Sequence, residues 1–175
     1  EGRITALYAL QGLGALDADI VLQRLEDPSV KVRQHAIRIA EGLAADSDEV
    51  RDRLVAMADT TELDLAYQLA FSLGAVESID RNAALISLMR QFGTDPWLPF
   101  AVQSSLGDGA GGFFRALACS QVDRKQPHIR EFLVRIATQI GAADRIADVA
   151  MVLQLLNDLP ESERSFSQAI IEALV

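Results

Sequence analysis

The chain has 175 residues, with 16 Lys and Arg set against 25 Asp and Glu for a formal net charge of −9. That balance is unsuited to a phosphate backbone, which is held by clustered cations, and it argues against a nucleic-acid partner. The single cysteine, Cys119, excludes an intrachain disulfide and a multi-cysteine metal cage, and no apolar run approaches the ~20 residues of a bilayer span.

Half the residues are hydrophobic but only 6% are aromatic. Much of the apolar content is Ala and Leu, which favours close-packed helices over sheets rich in β-branched and aromatic residues. Apolar spacing of three and four predicts helices over 3–13, 17–26, 29–45, 47–58, 62–74, 78–92, 96–106, 112–122, 126–140, 144–157 and 161–174. The joints are short, as between antiparallel neighbours. The expectation is one all-α domain over 1–175.

The first helix, Ile4 to Leu13, is apolar-striped with no polar cap segment before it, and Ala169 to Val175 is equally apolar. A solenoid end carries a polar face, so the expectation is a piece of a larger multidomain protein with neighbours at both ends. Next comes the most informative stretch, Asp27 to Glu41. Asp27 is expected to cap a helix and Pro28 to sit in its first turn. Val32, Ala36, Ile37 and Ala40 make its apolar stripe, and Arg33 follows Val32. Helix, Asp-Pro turn and helix opening on Val-Arg resembles a HEAT repeat.

The layout returns downstream. Asp59-Thr60-Thr61 precedes Leu63 and Leu65, Asp95-Pro96 precedes Leu98 and Phe100, Gln126-Pro127 precedes Ile129, and Pro160-Glu161-Ser162 opens the last helix. These turns recur at roughly the period of helical-pair solenoids. The predicted architecture is a HEAT-like α-solenoid of about five stacked helical pairs, each pair needing its neighbours to bury its apolar face. In HEAT repeats the arginine at the Arg33 position often bonds an acidic residue of the adjacent repeat. Its equivalents here are Ala66 and Ala101, so such a ladder is interrupted.

No candidate constellation points to catalysis. Gly107-Asp108-Gly109-Ala110-Gly111-Gly112 fits G-x-G-x-x-G, but a dinucleotide site needs a preceding strand. The segment before it continues a helix, so the expectation is a flexible inter-repeat loop. His35 and His128 are the only histidines and neither lies in a metal-binding spacing, so both are expected to be solvated or capping. Cys119 is expected to be a small core hydrophobe, and Ser104-Ser105 lack a nucleophile-elbow frame. Asp46, Asp48, Glu49 and Asp52 suit a helix start by complementing its dipole. Trp97, the lone tryptophan, is expected to cover the end of the core between repeats, with a binding anchor as the alternative. No metal or cofactor is expected.

Three segments together carry a wider resemblance: Arg3 to Asp17 running into the Asp27–Glu41 block, then Tyr67 to Gly74, then Thr94 to Leu106. This succession resembles the HEAT-repeat region of the large exported dehydrogenase-like proteins of planctomycete and verrucomicrobial bacteria. It covers roughly residues 1–115, and the remainder matches only as generic helical pairs. In that family a β-propeller related to quinoprotein sugar dehydrogenases comes first, helical repeats follow, and a c-type cytochrome often ends the chain. The chain has no C-x-x-C-H for haem attachment and no alternating strands. The resemblance therefore implies a non-enzymatic scaffold, linking or docking domains of a larger redox protein, with an exported or periplasmic location.

The structural repeat positions are Asp27, Pro28, Val32, Arg33, Asp95, Pro96 and Trp97. The alternative function is a protein- or peptide-binding HEAT module whose concave face includes Arg38, Tyr67, Gln68 and Gln103. Of enzymatic classes, a HEAT-type DNA glycosylase needs a basic groove that the acidic balance opposes, and a bilin-lyase-like activity has no residue to support it.

Overall fold

The computed structural model describes all residues from Glu1 to Val175. Its regular elements are twelve α-helices and four short 3-10 turns, with no strand. No helix is long and apolar enough to cross a membrane. Backbone contacts gather the chain into two compact units, residues 1–92 with 100–105 and residues 93–99 with 106–175.

The first unit contains α1 (Gly2–Gly12), α2 (Ala18–Leu25), α3 (Val30–Ala40), α4 (Asp48–Ala56), α5 (Leu63–Ser72) and α6 (Arg81–Phe92). The helix α7 (Leu98–Ser104) contributes residues to both units. Helices pack on the next helix but one: α3 lies against α1 and α5, and α4 against α2 and α6. Two rows result, α1–α3–α5 and α2–α4–α6, joined where α3 meets α2 and α5 meets α6. The reason is visible in α3, where Val32, Ala36, Ile37, Ile39 and Ala40 are all buried. Its apolar surface is too wide for one neighbour, so it needs partners on several sides.

The second unit contains α8 (Ala110–Ala118), α9 (Gln121–Arg124), α10 (Pro127–Ala143), α11 (Ile146–Asn157) and α12 (Arg164–Ala173). α8 packs on α10 and α11, and α10 packs on α12. Phe113, Phe114 and Phe132 are fully buried, with Phe113 and Phe132 meeting edge to face at 6.1 Å between ring centroids. Two glycines set the helix spacing. A Cβ on Gly111 of α8 would collide with the side chain of Asp148 on α11, and one on Gly141 of α10 with the Leu174 carbonyl after α12.

Several sequence expectations are corrected. The segment predicted as one helix over 112–122 breaks after Ala118, because Ser120 caps a new short helix by accepting the Asp123 N–H at 3.3 Å. The helix predicted to 45 ends at Ala40 and gives way to turns up to Asp46. The glycine-rich stretch is not a flexible loop: residues 107–109 form a 3-10 turn, with Gly107 at φ 45°, and Gly111 and Gly112 lie inside α8.

Candidate functional site

The Asp27-Pro28 turn organises the start of the first unit, in a manner different from a simple helix cap. Ser29 is the N-cap of α3. The Asp27 carboxylate accepts the Ser29 N–H at 2.9 Å, which places Pro28 in the turn ahead of the helix. Asp27 is only 3% exposed, and its other carboxylate oxygen takes Arg3 of α1 at 3.0 Å and Arg24 of α2 at 3.5 Å. One acid thus ties three helices. Asp95 repeats the local geometry: its Oδ1 accepts the Trp97 N–H at 2.9 Å and the Leu98 N–H at 3.0 Å ahead of α7. Thr60 and Ser78 supply the same kind of turn before α5 and α6, by accepting the N–H of Glu62 and of Asp80.

Arg33 donates to the Asp27 carbonyl at 2.8 Å, within its own turn. The Arg33 position thus has a local partner, and the same device recurs at positions other than Ala66 and Ala101. Arg51 donates to the Ala44 carbonyl at 2.5 Å, Arg124 to the Ala118 carbonyl, and Arg130 to the Arg124 carbonyl at 2.5 Å. All four arginines stand four residues after an N-cap: Ser29, Ser47, Ser120 and Gln126. An N-cap residue with Arg four positions later is the signal that sequence reasoning missed. Each guanidinium reaches back over the helix start and satisfies a carbonyl left open by the preceding segment.

Along the α1–α3–α5 row the polar side chains bond from helix to helix. The Tyr8 hydroxyl and His35 Nδ1 are 2.9 Å apart with their rings edge to face, so His35 joins α1 to α3 and is not merely solvated. Lys31 reaches Asp64 at 3.3 Å. The buried Ser72 donates to Glu41 at 2.6 Å, and Gln68 donates to Ser72 at 3.1 Å and to Glu41 at 3.5 Å. Of the four residues expected on a concave face, Gln68 is therefore drawn into this cluster. Arg38 is exposed, and Tyr67 and Gln103 are half-buried. Ser105 donates to the Ala70 carbonyl at 2.5 Å, with Gly74 close beneath it.

In the second unit the polar centre is Glu163, in the 3-10 turn Glu161–Glu163 ahead of α12. It is 8% exposed and holds both Arg124, 3.0 Å from Oε1, and Arg130, 3.1 Å from Oε2. The Arg124 hydrogen bond holds its carboxyl below the usual range. Burial opposes this, and the charges of Arg124, Arg130 and Lys125 reinforce it. Arg130 also lies over the Phe166 ring at 4.9 Å. Arg135 lies over Phe132 at 5.4 Å, where burial lowers its pKa and Glu131 opposes the shift.

Other expected residues sit as follows. Val32 is buried and Pro96 is exposed. Trp97 is 68% exposed, so it does not cover a core end. Cys119 is exposed at the end of α8, bordering a cleft of about 270 Å³ with Arg115 and Met151, and is not a core hydrophobe. Its position at the helix terminus turns the thiol away from the Phe113, Phe114 and Leu117 side of α8 that packs inside. No group of three or more His, Cys, Asp or Glu side chains is placed to hold a metal ion. No protein-family model, curated protein or solved structure matches the chain.

Proposed function

We propose that this chain is a non-catalytic helical-repeat scaffold: a HEAT-like α-solenoid of about five stacked helical pairs that links or docks domains of a larger redox protein of the exported dehydrogenase-like kind. The observation that carries the reading is the use made of the polar side chains. Asp27, His35, Glu41, Gln68, Ser72 and Glu163 each join one helix or turn to another. The skip-one packing of α1–α3–α5 and α2–α4–α6 supports the repeat architecture, because each helical pair leaves an apolar face for the next.

The test is direct assay of the purified chain. Substrate-driven reduction of an artificial electron acceptor and uptake of haem, followed by absorbance, are both expected to be nil. Turnover or a haem spectrum that follows the chain through purification would overturn the proposal.

The second reading is a peptide-binding module on the α3/α5 surface. It is favoured by Phe71, 54% exposed one turn after Tyr67, and by the exposed Arg38. Under that reading, the substitutions Phe71→Ala and Arg38→Glu abolish capture of a bound peptide selected by display. Unchanged capture removes this surface from consideration.

A further inference from the structure

The cleft of about 270 Å³ at the end of α8 is walled by one face of each of two helices. Arg115, Ala118 and Cys119 stand at i, i+3 and i+4 along α8 and its C-cap, and Met151, Leu155 and Asp158 at i, i+4 and i+7 along α11 and its C-cap. The two helices run in the same direction: Gly111 meets Asp148 and, equally far along both, Ala118 shares the cleft with Leu155. Both carbonyl ends therefore open on the cleft, and their partial negative charge adds to that of Asp158.

Two charges in this wall are unanswered. Arg115 and Asp158 both line the cleft, yet neither side chain forms an ion pair or hydrogen bond, with the other or with any neighbour. Arg124, the third charged residue there, is already held by Glu163 and the Ala118 carbonyl. The rest of the lining is largely apolar, with Ala118, Met151, Leu155 and Leu159. A free cation and a free anion kept apart over an apolar wall are the complement of a molecule that carries both charges and an apolar body. The volume is below the ~300–1,000 Å³ of pockets that take drug-sized molecules, so the occupant is small.

We propose that this cleft binds a free α-amino acid with an apolar side chain. Arg115 takes the carboxylate in its planar fork. Asp158 and the two carbonyl ends hold the ammonium group, and the side chain lies on Met151, Leu155 and Leu159. The inference stands on this cleft and does not rest on the scaffold proposal.

Cys119 borders the cleft and carries the only thiol of the chain, so its alkylation reports occupancy. The test follows alkylation of the wild-type chain by iodoacetamide, read by intact mass, with L-leucine or L-phenylalanine added up to about 10 mM. At least one of them is expected to slow the reaction several-fold, with a Kd that calorimetry reproduces. Its N-acetyl derivative lacks the ammonium charge and its decarboxylated amine lacks the carboxylate; each is expected to bind about tenfold more weakly or worse. Arg115→Gln and Asp158→Asn are expected to weaken binding to a similar degree. Both positions are exposed, and far-UV circular dichroism checks that the variants stay helical. The comparison of ligands uses the wild-type chain alone, so it decides the matter even where a variant misfolds. An alkylation rate that neither amino acid changes overturns the proposal. So does calorimetric binding without protection of Cys119, because the ligand then lies elsewhere. An amine or an N-acetyl derivative that protects as well as the amino acid also overturns it, since the cleft then reads one charge only.

Discussion

Arg124 and Glu163, separated by 39 residues, face each other through three contacts: Arg124 Nη2 to Oε1 at 3.0 Å, and Arg124 Nε to Oε2 at 3.2 Å and to Oε1 at 3.3 Å. The same arginine donates to the Ala118 carbonyl. One side chain therefore fixes the end of α8, the short helix α9 and the turn that starts α12. Removing one partner of a buried pair costs more than the pair itself contributes, because the other charge is left stranded.

Glu163→Ala leaves the buried Arg124 without a counter-charge and removes the ion pair of the half-buried Arg130. The expected loss is about 3 kcal/mol in the unfolding of the second unit, measured by urea denaturation. Glu163→Gln is expected to cost less, since it keeps an acceptor for Arg124. Equal midpoints for the wild type and Glu163→Ala would show that the network contributes nothing.

The same carboxylate sets an acid limb. Arg124 holds the Glu163 carboxyl below the ordinary value of 4.5 in the folded chain. The native state then binds fewer protons than the unfolded one. The stabilisation is complete above the unfolded value and is lost as pH falls through the lower folded value. Thermal unfolding of the wild type is expected to weaken below about pH 4.5 more steeply than that of Glu163→Gln. Parallel profiles would contradict this.

Asp27 performs two tasks that substitution separates. Asp27→Asn keeps an oxygen for the Ser29 N–H but gives up the charge shared by Arg3 and Arg24. Arg3 is half-exposed, so water screens part of that pair. The expected cost is about 1 kcal/mol for Asn and about 3 kcal/mol for Ala, which also loses the turn. Denaturation of the two variants distinguishes the contributions, and equal costs would deny the turn any role.

Two glycines are expected to respond with opposite signs. Gly111→Ala drives a methyl into Asp148 and should destabilise by about 1–3 kcal/mol. Gly12, at the end of α1, has nothing within 4 Å of an added Cβ. Gly12→Ala should stabilise by about 0.5 kcal/mol through the unfolded chain. A calorimetric midpoint for Gly111→Ala at or above that of the wild type would contradict the packing described for α8 and α11, and a lowered midpoint for Gly12→Ala would contradict the open surface at the end of α1.

The helical content was legible because apolar spacing of three and four runs through nearly every segment, and Asp-Pro marks two turns that share one hydrogen-bonded geometry. The break at Ser120 was hidden, since Val122 continues the apolar pattern and no Gly or Pro interrupts it. Glu163 was invisible as a centre because its arginines lie 33 and 39 residues away and nothing local signals the meeting. Gly111 and Gly112 looked like loop residues, whereas the helix tolerates them because α11 comes too close for a side chain at position 111. The position of Gln68 on its helix alone suggests a binding residue, whereas Glu41 and Ser72 claim its side chain.

The central claim is that helices stack on the next but one, as repeats do. Lys31 of α3 and Asp64 of α5 are 3.3 Å apart, with both side chains exposed to reagent. Zero-length carbodiimide coupling followed by peptide mass spectrometry reads that adjacency directly. The account predicts that the dominant Lys31 product joins Asp64. Coupling of Lys31 to carboxylates of α2 or α4, such as Asp19 or Asp52, would contradict the stacking of α3 on α5 and, with it, the support for the proposed repeat architecture.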